Sequence, residues 1–192
     1  MAFLKEPKIP KPIELILRIA EKKLGNRMMP ARLLLWAPKA FVSSMILEGL
    51  VAHKAGRVDP RMLKLIRMQV SLRIACPFCI DMNSSEFRQF GITKEEIRAM
   101  QGVVKISEVK SLDNREKMVL YYAQSLVRTP IRIDKGLVNK MKQGFSEKEF
   151  ATIVTTIAQV DYWTRVIQGF GIRPVGFLET CDIEMINRIG DQ

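Results

Sequence analysis

The chain has few cysteines, and this scarcity excludes one class of small stable protein. Its 192 residues hold three, Cys76, Cys79 and Cys181, which are too few for a scaffold held together by disulfides. Such sparing use of cysteine fits a reducing compartment, where a close pair of thiols serves catalysis or binds a metal. We therefore expect a cytoplasmic protein.

Long hydrophobic runs are also lacking, which argues against a membrane protein. The longest apolar stretch, Leu33 to Leu50, is interrupted by Pro38 and Lys39 and is shorter than a membrane span. The N-terminal stretch carries Lys and Pro throughout, without the apolar segment and small-residue cleavage site of a signal peptide. We expect no membrane insertion and no signal peptide.

Basic residues are plentiful, but no concentrated basic block occurs. The 31 Lys and Arg residues, against 20 Asp and Glu, give a formal net charge of +11, which favours an anionic partner. No run of five or six basic residues is present, and no zinc-finger, RNP or heptad-zipper motif accompanies the charge. We interpret the charge as a solvated basic surface and expect no nucleic-acid partner.

Aromatic residues are sparse, whereas Met, Leu and Ile are common and favour the packing of helix on helix. Capping sequences mark helix starts at Asp59-Pro60, Thr93, Asp113 and Ser146. The last of these precedes apolar residues at three- and four-residue spacing, which are Phe150, Ile153, Val154, Ile157, Val160, Ile167 and Phe170. We predict a single all-α domain over residues 1–192, with an irregular lead-in at 1–12.

The segment from Ile66 to Ile74 fits two structures. Its apolar and polar residues alternate as in a strand, while its apolar residues also have helical spacing behind the Asp59 cap. A strand here, followed by the cysteine pair and a helix, is how a thioredoxin- or glutaredoxin-like disulfide reductase begins. The upstream region without a strand signal and the helical C-terminal third favour the all-α alternative.

Cys76-Pro77-Phe78-Cys79 is the most informative motif of the chain. Two thiols at this spacing can close a disulfide, and one can act as a thiolate whose oxidised product the other resolves. Pro77 disfavours helical geometry at Cys76, so we predict a helix that begins there, with Cys76 near its N-cap and Cys79 in its first turn. The alternatives are two buried structural thiols, or a zinc site completed by Cys181 and His53.

Other polar residues are candidate members of this site. A helical hairpin that turns at the proline would bring Asn83 alongside the turn that contains Lys64. Glu86, seven residues after the second cysteine, would share its helical face and is a substitute proton acceptor or a solvated carboxylate. Asp81 is expected to point elsewhere and to be exposed. His53, the only histidine, is expected at a helix C-terminus, and it is otherwise a base that could serve the site.

Motifs along residues 30–175 are similar to those of one known family. They comprise Pro60 to Arg67, Cys76 to Asn83, Phe90 to Ile97 and, more weakly, Trp36 to Ala40, Asn114 to Leu120 and Tyr162 to Ile172. These stretches resemble the alkylhydroperoxidase D-like / carboxymuconolactone decarboxylase superfamily. The resemblance implies an all-helical bundle with the CxxC at a helix start, which assembles into a homo-oligomer such as a trimer, hexamer or dimer.

The peroxidase branch of that family implies a thiol-dependent oxidoreductase, without cofactor or metal, that reduces hydroperoxides or disulfides. Cys79 would attack the peroxide and become a sulfenic acid, Cys76 would resolve it as a disulfide, and a dithiol protein would then reduce that disulfide. The analogy to thioredoxin favours Cys76 as the attacking thiol instead. The presence of a CxxC argues against a lactone substrate of the decarboxylase branch.

Two positions depart from the family's proton relay, which is a His and a Glu at the positions of Asn83 and Lys64. Neither replacement is a general base at neutral pH. Asn83 can still orient a thiolate or a water, and Lys64 can lower a cysteine pKa if the hairpin brings it close. Disulfide chemistry is thus expected to survive, with weakened hydroperoxide reduction. The alternative is an oligomer of the same fold that senses redox state with little catalysis.

Overall fold

The computed structural model describes residues 2–50 and 53–177, without the side chain of Leu50. Within these residues the regular elements are helices, and no β-strand is present. The α-helices are α1 Lys11–Leu24, α2 Met29–Leu34, α3 Pro38–Leu50, α4 Pro60–Ile74, α5 Pro77–Ser84, α6 Lys94–Met100, α7 Asn114–Leu126, α8 Lys135–Gly144 and α9 Glu147–Gly169, with 3-10 helices at Phe87–Phe90 and Ile106–Glu108. The all-α prediction is confirmed, and the thioredoxin-like alternative is wrong.

Two smaller predictions, on the N-terminal lead-in and on membrane spans, can also be compared with the structure. The first helix begins at Lys11, two residues inside the predicted irregular lead-in. In the described ranges, no helix combines the length and the hydropathy needed to cross a membrane.

The ambiguous segment 66–74 is helical and belongs to α4, the central helix of the bundle. Asp59 caps it by accepting a hydrogen bond from the Met62 N–H at 2.8 Å. The helix packs against α5, α7 and α9 and is buried on most sides. Its alternation is misleading because polar residues also lie in the interior, where Gln69 donates to the Met100 carbonyl. A helix buried nearly all round needs no clean amphipathic stripe.

The three predicted capping boxes are confirmed, and their glutamates also hold helices together. Each carboxylate accepts the N–H of its own N-cap residue. Glu96 and Glu116 both bind Arg61 of α4, at 2.8 and 2.7 Å. Glu149 accepts from the Arg57 N–H at 2.6 Å. The glutamates at these helix starts therefore join α6 and α7 to α4, and α9 to the segment before α4.

Both ends of the described chain meet beside the start of α5. The Phe3 N–H donates to the Phe170 carbonyl at 2.9 Å, after the end of α9. Gly171 has a φ of +64°, and a Cβ there would lie 2.6 Å from the Phe3 ring, so glycine is required for two reasons. The two terminal segments thus help to enclose the region that contains the cysteines.

Candidate active site

A sharp break between α4 and α5 positions the cysteine pair. Ala75 ends α4 in the left-handed conformation, with a φ of +55°. Cys76 is extended, with φ −88° and ψ 106°, and Pro77 occupies the first position of α5. The predicted placement is confirmed, with Cys76 as the N-cap and Cys79 in the first turn. Pro77 explains it, because proline disfavours helical geometry in the residue before it and fits the first helical position.

The two cysteines are free thiols in direct contact. Their Sγ atoms lie 2.7 Å apart, and the Cys79 N–H donates to the Cys76 Sγ at 3.4 Å. Cys76 is 0% exposed and Cys79 is 1% exposed. They share an apolar cluster with Leu33, Phe78, Ile167 and Ile172. The geometry suits a dithiol that can close to a disulfide, shielded from bulk water.

The surroundings distinguish the two thiols. The hydrogen bond between the two thiols lowers the pKa of Cys76, and the N–H groups of Cys79 and Phe78 add to this effect against the opposing effect of burial. The same hydrogen bond, burial and the charge on Cys76 raise the pKa of Cys79. Cys76 is therefore the thiol that ionises first. Its activation comes from its neighbour and the start of α5, because no charged side chain among residues 2–50 and 53–177 is a cause of the shift.

Asn83 is buried, but its partner is not the one expected. Its Nδ2 donates to the Ser71 Oγ at 2.9 Å, and the Ser71 Oγ donates to the Arg67 carbonyl at 2.8 Å. The expected neighbour was the turn from Lys64 to Met68, nearer the start of α4. Ser71 was missed, although the hairpin suggests it: Asn83 lies six residues after Pro77 and Ser71 six residues before it.

Lys64 lies at the far end of the same hairpin. Its Nζ is 5.1 Å from the centroid of the Phe90 ring, and these residues are thirteen before and thirteen after Pro77. Burial lowers the pKa of Lys64, while Glu86 opposes this shift and Arg67 adds to it. Lys64 is not a cause of the pKa shift of either cysteine. The expectation that Lys64 activates a thiol is not met by this geometry.

Glu86 and His53 also lie away from the thiols. Because α5 ends at Ser84, Glu86 does not continue the face of Cys79; it is exposed, with a φ of +55° at the start of the 3-10 helix. His53 is exposed, and its Nε2 meets the Gly49 carbonyl near the end of α3, as the helix-terminus interpretation predicts.

The described residues do not support the alternative of a zinc site. Over residues 2–50 and 53–177, no group of three or more His, Cys, Asp and Glu side chains is placed to hold a metal ion. Cys181, its remaining candidate ligand, lies outside those residues.

Asp81 was expected to be exposed, and this expectation is wrong. The residue is 4% exposed, and its Oδ2 accepts hydrogen bonds from the Val175 N–H at 3.1 Å and the Gly176 N–H at 2.9 Å. The segment after α9 returns across α5 and covers the carboxylate. No local signal could have shown this, because the contact joins residues more than 90 positions apart.

The central part of the chain matches a known family. The model of the carboxymuconolactone decarboxylase family matches residues 44–108, which include α4, α5 and both cysteines. YdfG of Bacillus subtilis strain 168, described as an uncharacterised protein, is 26% identical over 121 residues, which are 62% of this chain and 80% of YdfG.

Solved structures share the fold over most of the chain. A protein of unknown function from Agrobacterium tumefaciens, whose name suggests antioxidant defence of the AhpD type, is 25% identical with a TM-score of 0.60, over 74% of this chain and 95% of that one. A peroxidase-related protein from Silicibacter sp. TM1040 has a TM-score of 0.75 over 91% and 92% of the two chains. Its identity is 15%, so this likeness shows the fold alone.

Proposed function

We propose that this chain is a thiol-dependent oxidoreductase that reduces hydroperoxides or disulfides through Cys76 and Cys79, as a member of the alkylhydroperoxidase D-like / carboxymuconolactone decarboxylase superfamily. The observation that carries this proposal is the contact between two free, buried thiols at the start of α5, 2.7 Å apart. One of them has a lowered pKa, which supports a role for it as the nucleophile and for the other as its resolving partner.

The proposed cycle begins with the thiolate of Cys76. It attacks an oxygen of the hydroperoxide, the O–O bond breaks, and the organic group leaves as an alcohol once its alkoxide takes a proton. The oxidised Cys76 is then a sulfenic acid, which Cys79 attacks to form the disulfide with loss of water. An external dithiol protein reduces that disulfide, which restores both thiols. One hydroperoxide and one dithiol thus give an alcohol, a water and a disulfide.

The order of attack differs from the order that the family resemblance implies. The resemblance makes Cys79 the attacking thiol, with a histidine and a glutamate to activate it. Here Asn83 and Lys64 stand at those positions, and Cys76 has the lowered pKa. Asn83 binds Ser71 and cannot accept a proton as a histidine would, so we expect slower hydroperoxide reduction than an intact relay supports.

Hydroperoxide consumption in the presence of a small dithiol tests this proposal. We expect cumene hydroperoxide turnover by the wild type, and loss of turnover in both Cys76→Ser and Cys79→Ser. Asn83→His should raise the rate, with general-base catalysis contributing up to about a hundredfold. Turnover that persists in both cysteine variants would contradict the proposal. With one equivalent of peroxide and no dithiol, Cys79→Ser should stop at a sulfenic acid on Cys76.

A redox sensor of the same fold is the second candidate, and the enclosure of both thiols favours it. A sensor needs a reversible disulfide but no rapid turnover. Stoichiometric oxidation to the Cys76–Cys79 disulfide, followed by full recovery with dithiol and no multiple turnovers, would identify this alternative. Such a result would also contradict the proposal that the protein reduces hydroperoxides catalytically.

Assembly into a homo-oligomer is part of the proposal. Large aliphatic side chains are exposed on α1 and α3, namely Leu15, Ile16, Ile19, Val42 and Ile46. Exposed apolar surface of this kind is typical of a subunit interface. Light scattering coupled to gel filtration gives the mass in solution, and a monomer at micromolar concentration would count against assembly.

A further inference from the structure

The segment from Gly171 to Phe177 forms a cover over the dithiol. Ile172 lies in the same apolar cluster as both cysteines, and Val175 and Phe177 pack at its edge. The Phe177 ring meets the Phe78 ring edge-on, with centroids 6.4 Å apart. Because both sulfurs are shielded, a hydroperoxide can reach them only after part of the enclosure moves.

This cover is a non-helical part of the enclosure. Residues 172–177 follow the end of α9 without helical hydrogen bonds, whereas Leu33 and Ile167 in other walls belong to helices. Ala2 of the N-terminal segment also packs against the cluster. Gly171 and Gly176 have positive φ values at its two ends. Segments with few backbone hydrogen bonds open at a lower free energy than packed helices do.

Asp81 is the group that ties the cover to α5. One oxygen of its carboxylate accepts from two consecutive backbone N–H groups, those of Val175 and Gly176. Both donors belong to the cover, so the carboxylate joins residues 175 and 176 to α5. Bonds to a charged acceptor are stronger than those to a neutral one, and Asp81 lies two residues after Cys79 on the same helix.

We propose that Asp81 is a positioning residue that holds residues 171–177 closed over Cys76 and Cys79, so that release of its two hydrogen bonds admits the substrate. The inference rests on the proposed function for the identity of that substrate. The closed cover itself is a property of the reduced protein and governs the access of any reagent to the thiols.

Alkylation of the reduced protein by iodoacetamide measures this access directly. Asp81→Ala removes both hydrogen bonds and should raise the alkylation rate of the dithiol about tenfold. Asp81→Asn keeps a neutral acceptor oxygen and should give an intermediate rate. Asp161→Asn, the same change in an exposed carboxylate of α9 paired with Arg165, is the matched control and should leave the rate unchanged.

Two further measurements separate a cover from a general loss of stability. Amide hydrogen exchange should accelerate at Val175 and Gly176 in Asp81→Asn, while the amides of α4 keep their protection. Phe177→Ala loosens the cover from its other side with Asp81 intact, and it should also raise the alkylation rate. The proposal is wrong if alkylation is unchanged in these variants, or if it rises only in proportion to the global unfolding constant measured in urea.

The outcome is independent of turnover. Faster alkylation in Asp81→Ala, in a protein that reduces neither hydroperoxides nor disulfides, would support the cover and contradict the proposed oxidoreductase. The opposite result is turnover that requires both cysteines, with an alkylation rate that Asp81 substitutions do not change. It would support the oxidoreductase and contradict the proposed role of the cover.

Discussion

The two ends of α4 bury opposite kinds of chemistry. Near its start, Arg61 binds the carboxylates of Glu96 and Glu116, which are 0% and 8% exposed. Beyond its end, Cys76 and Cys79 lie among apolar side chains. Ion pairs therefore hold the helices together at one end of α4. At the other end, the hydrogen bond with the Cys79 thiol and the backbone N–H groups at the start of α5 lower the pKa of Cys76.

This difference explains how residues 2–50 and 53–177 can lack a charged relay at the dithiol. A charged activator in an apolar enclosure needs its own partner, because an unpaired buried charge is costly. Backbone N–H groups at the start of α5 supply a fixed positive potential without that cost. The contrast predicts that substitutions of the charged residues near the start of α4 lower the free energy of unfolding. Substitutions of the thiols beyond its end should change mainly the pKa of the remaining thiol.

The largest effect is expected from Arg61→Met. The change leaves two buried carboxylates without their shared cation, and removal of one partner from a buried ion pair costs about 3–5 kcal/mol. Urea unfolding followed by circular dichroism measures the loss. Arg165→Met, which breaks an exposed pair with Asp161, is the control and should cost less than about 1 kcal/mol. Equal losses in the two variants would show that the Arg61 cluster is not a stability determinant.

A smaller effect is expected at the thiols, from Cys79→Ala. Without the hydrogen bond to the Cys79 thiol, the pKa of Cys76 should rise. Thiolate absorbance at 240 nm, followed against pH, reports this change, and the titration should move to higher pH. Unfolding free energy should change little by comparison with Arg61→Met. A Cys76 titration that stays in place would mean that the start of α5 alone sets its pKa.

The local part of this arrangement could be predicted from the sequence. Asp59, Thr93, Asp113 and Ser146 each cap a helix because the capping groups lie within three residues of one another. The position of Cys76 follows from Pro77 in the same way. Such signals depend on steric contacts and hydrogen bonds between residues that are close in the sequence, so they do not require knowledge of the tertiary structure.

The rest depends on contacts between distant residues. The burial of Asp81 comes from a segment near position 175, and the two carboxylates on Arg61 come from α6 and α7. Glu86 was misplaced for a different reason, since α5 stops at Ser84 where the helical pattern could have continued. The Ser71–Asn83 hydrogen bond is intermediate between the predictable and the unpredictable contacts. The two residues are equally far from Pro77 along the chain, so a hairpin that turns at Pro77 would place them side by side.

The smallest effect is expected from Lys64→Met, and it tests the separation of the two ends most directly. Ten residues of α4 separate Lys64 from Ile74, about 15 Å of helix, so its charge should have little effect on the pKa of Cys76 at physiological ionic strength. The contact with Phe90 is worth about 0.5–1 kcal/mol, which limits the loss of stability. The same thiolate titration, with Cys79→Ala as the positive control, measures the shift. A rise as large as that in Cys79→Ala would mean that the charge of Lys64 reaches the dithiol, and the division between a charged scaffold and a helix-activated thiol would be wrong.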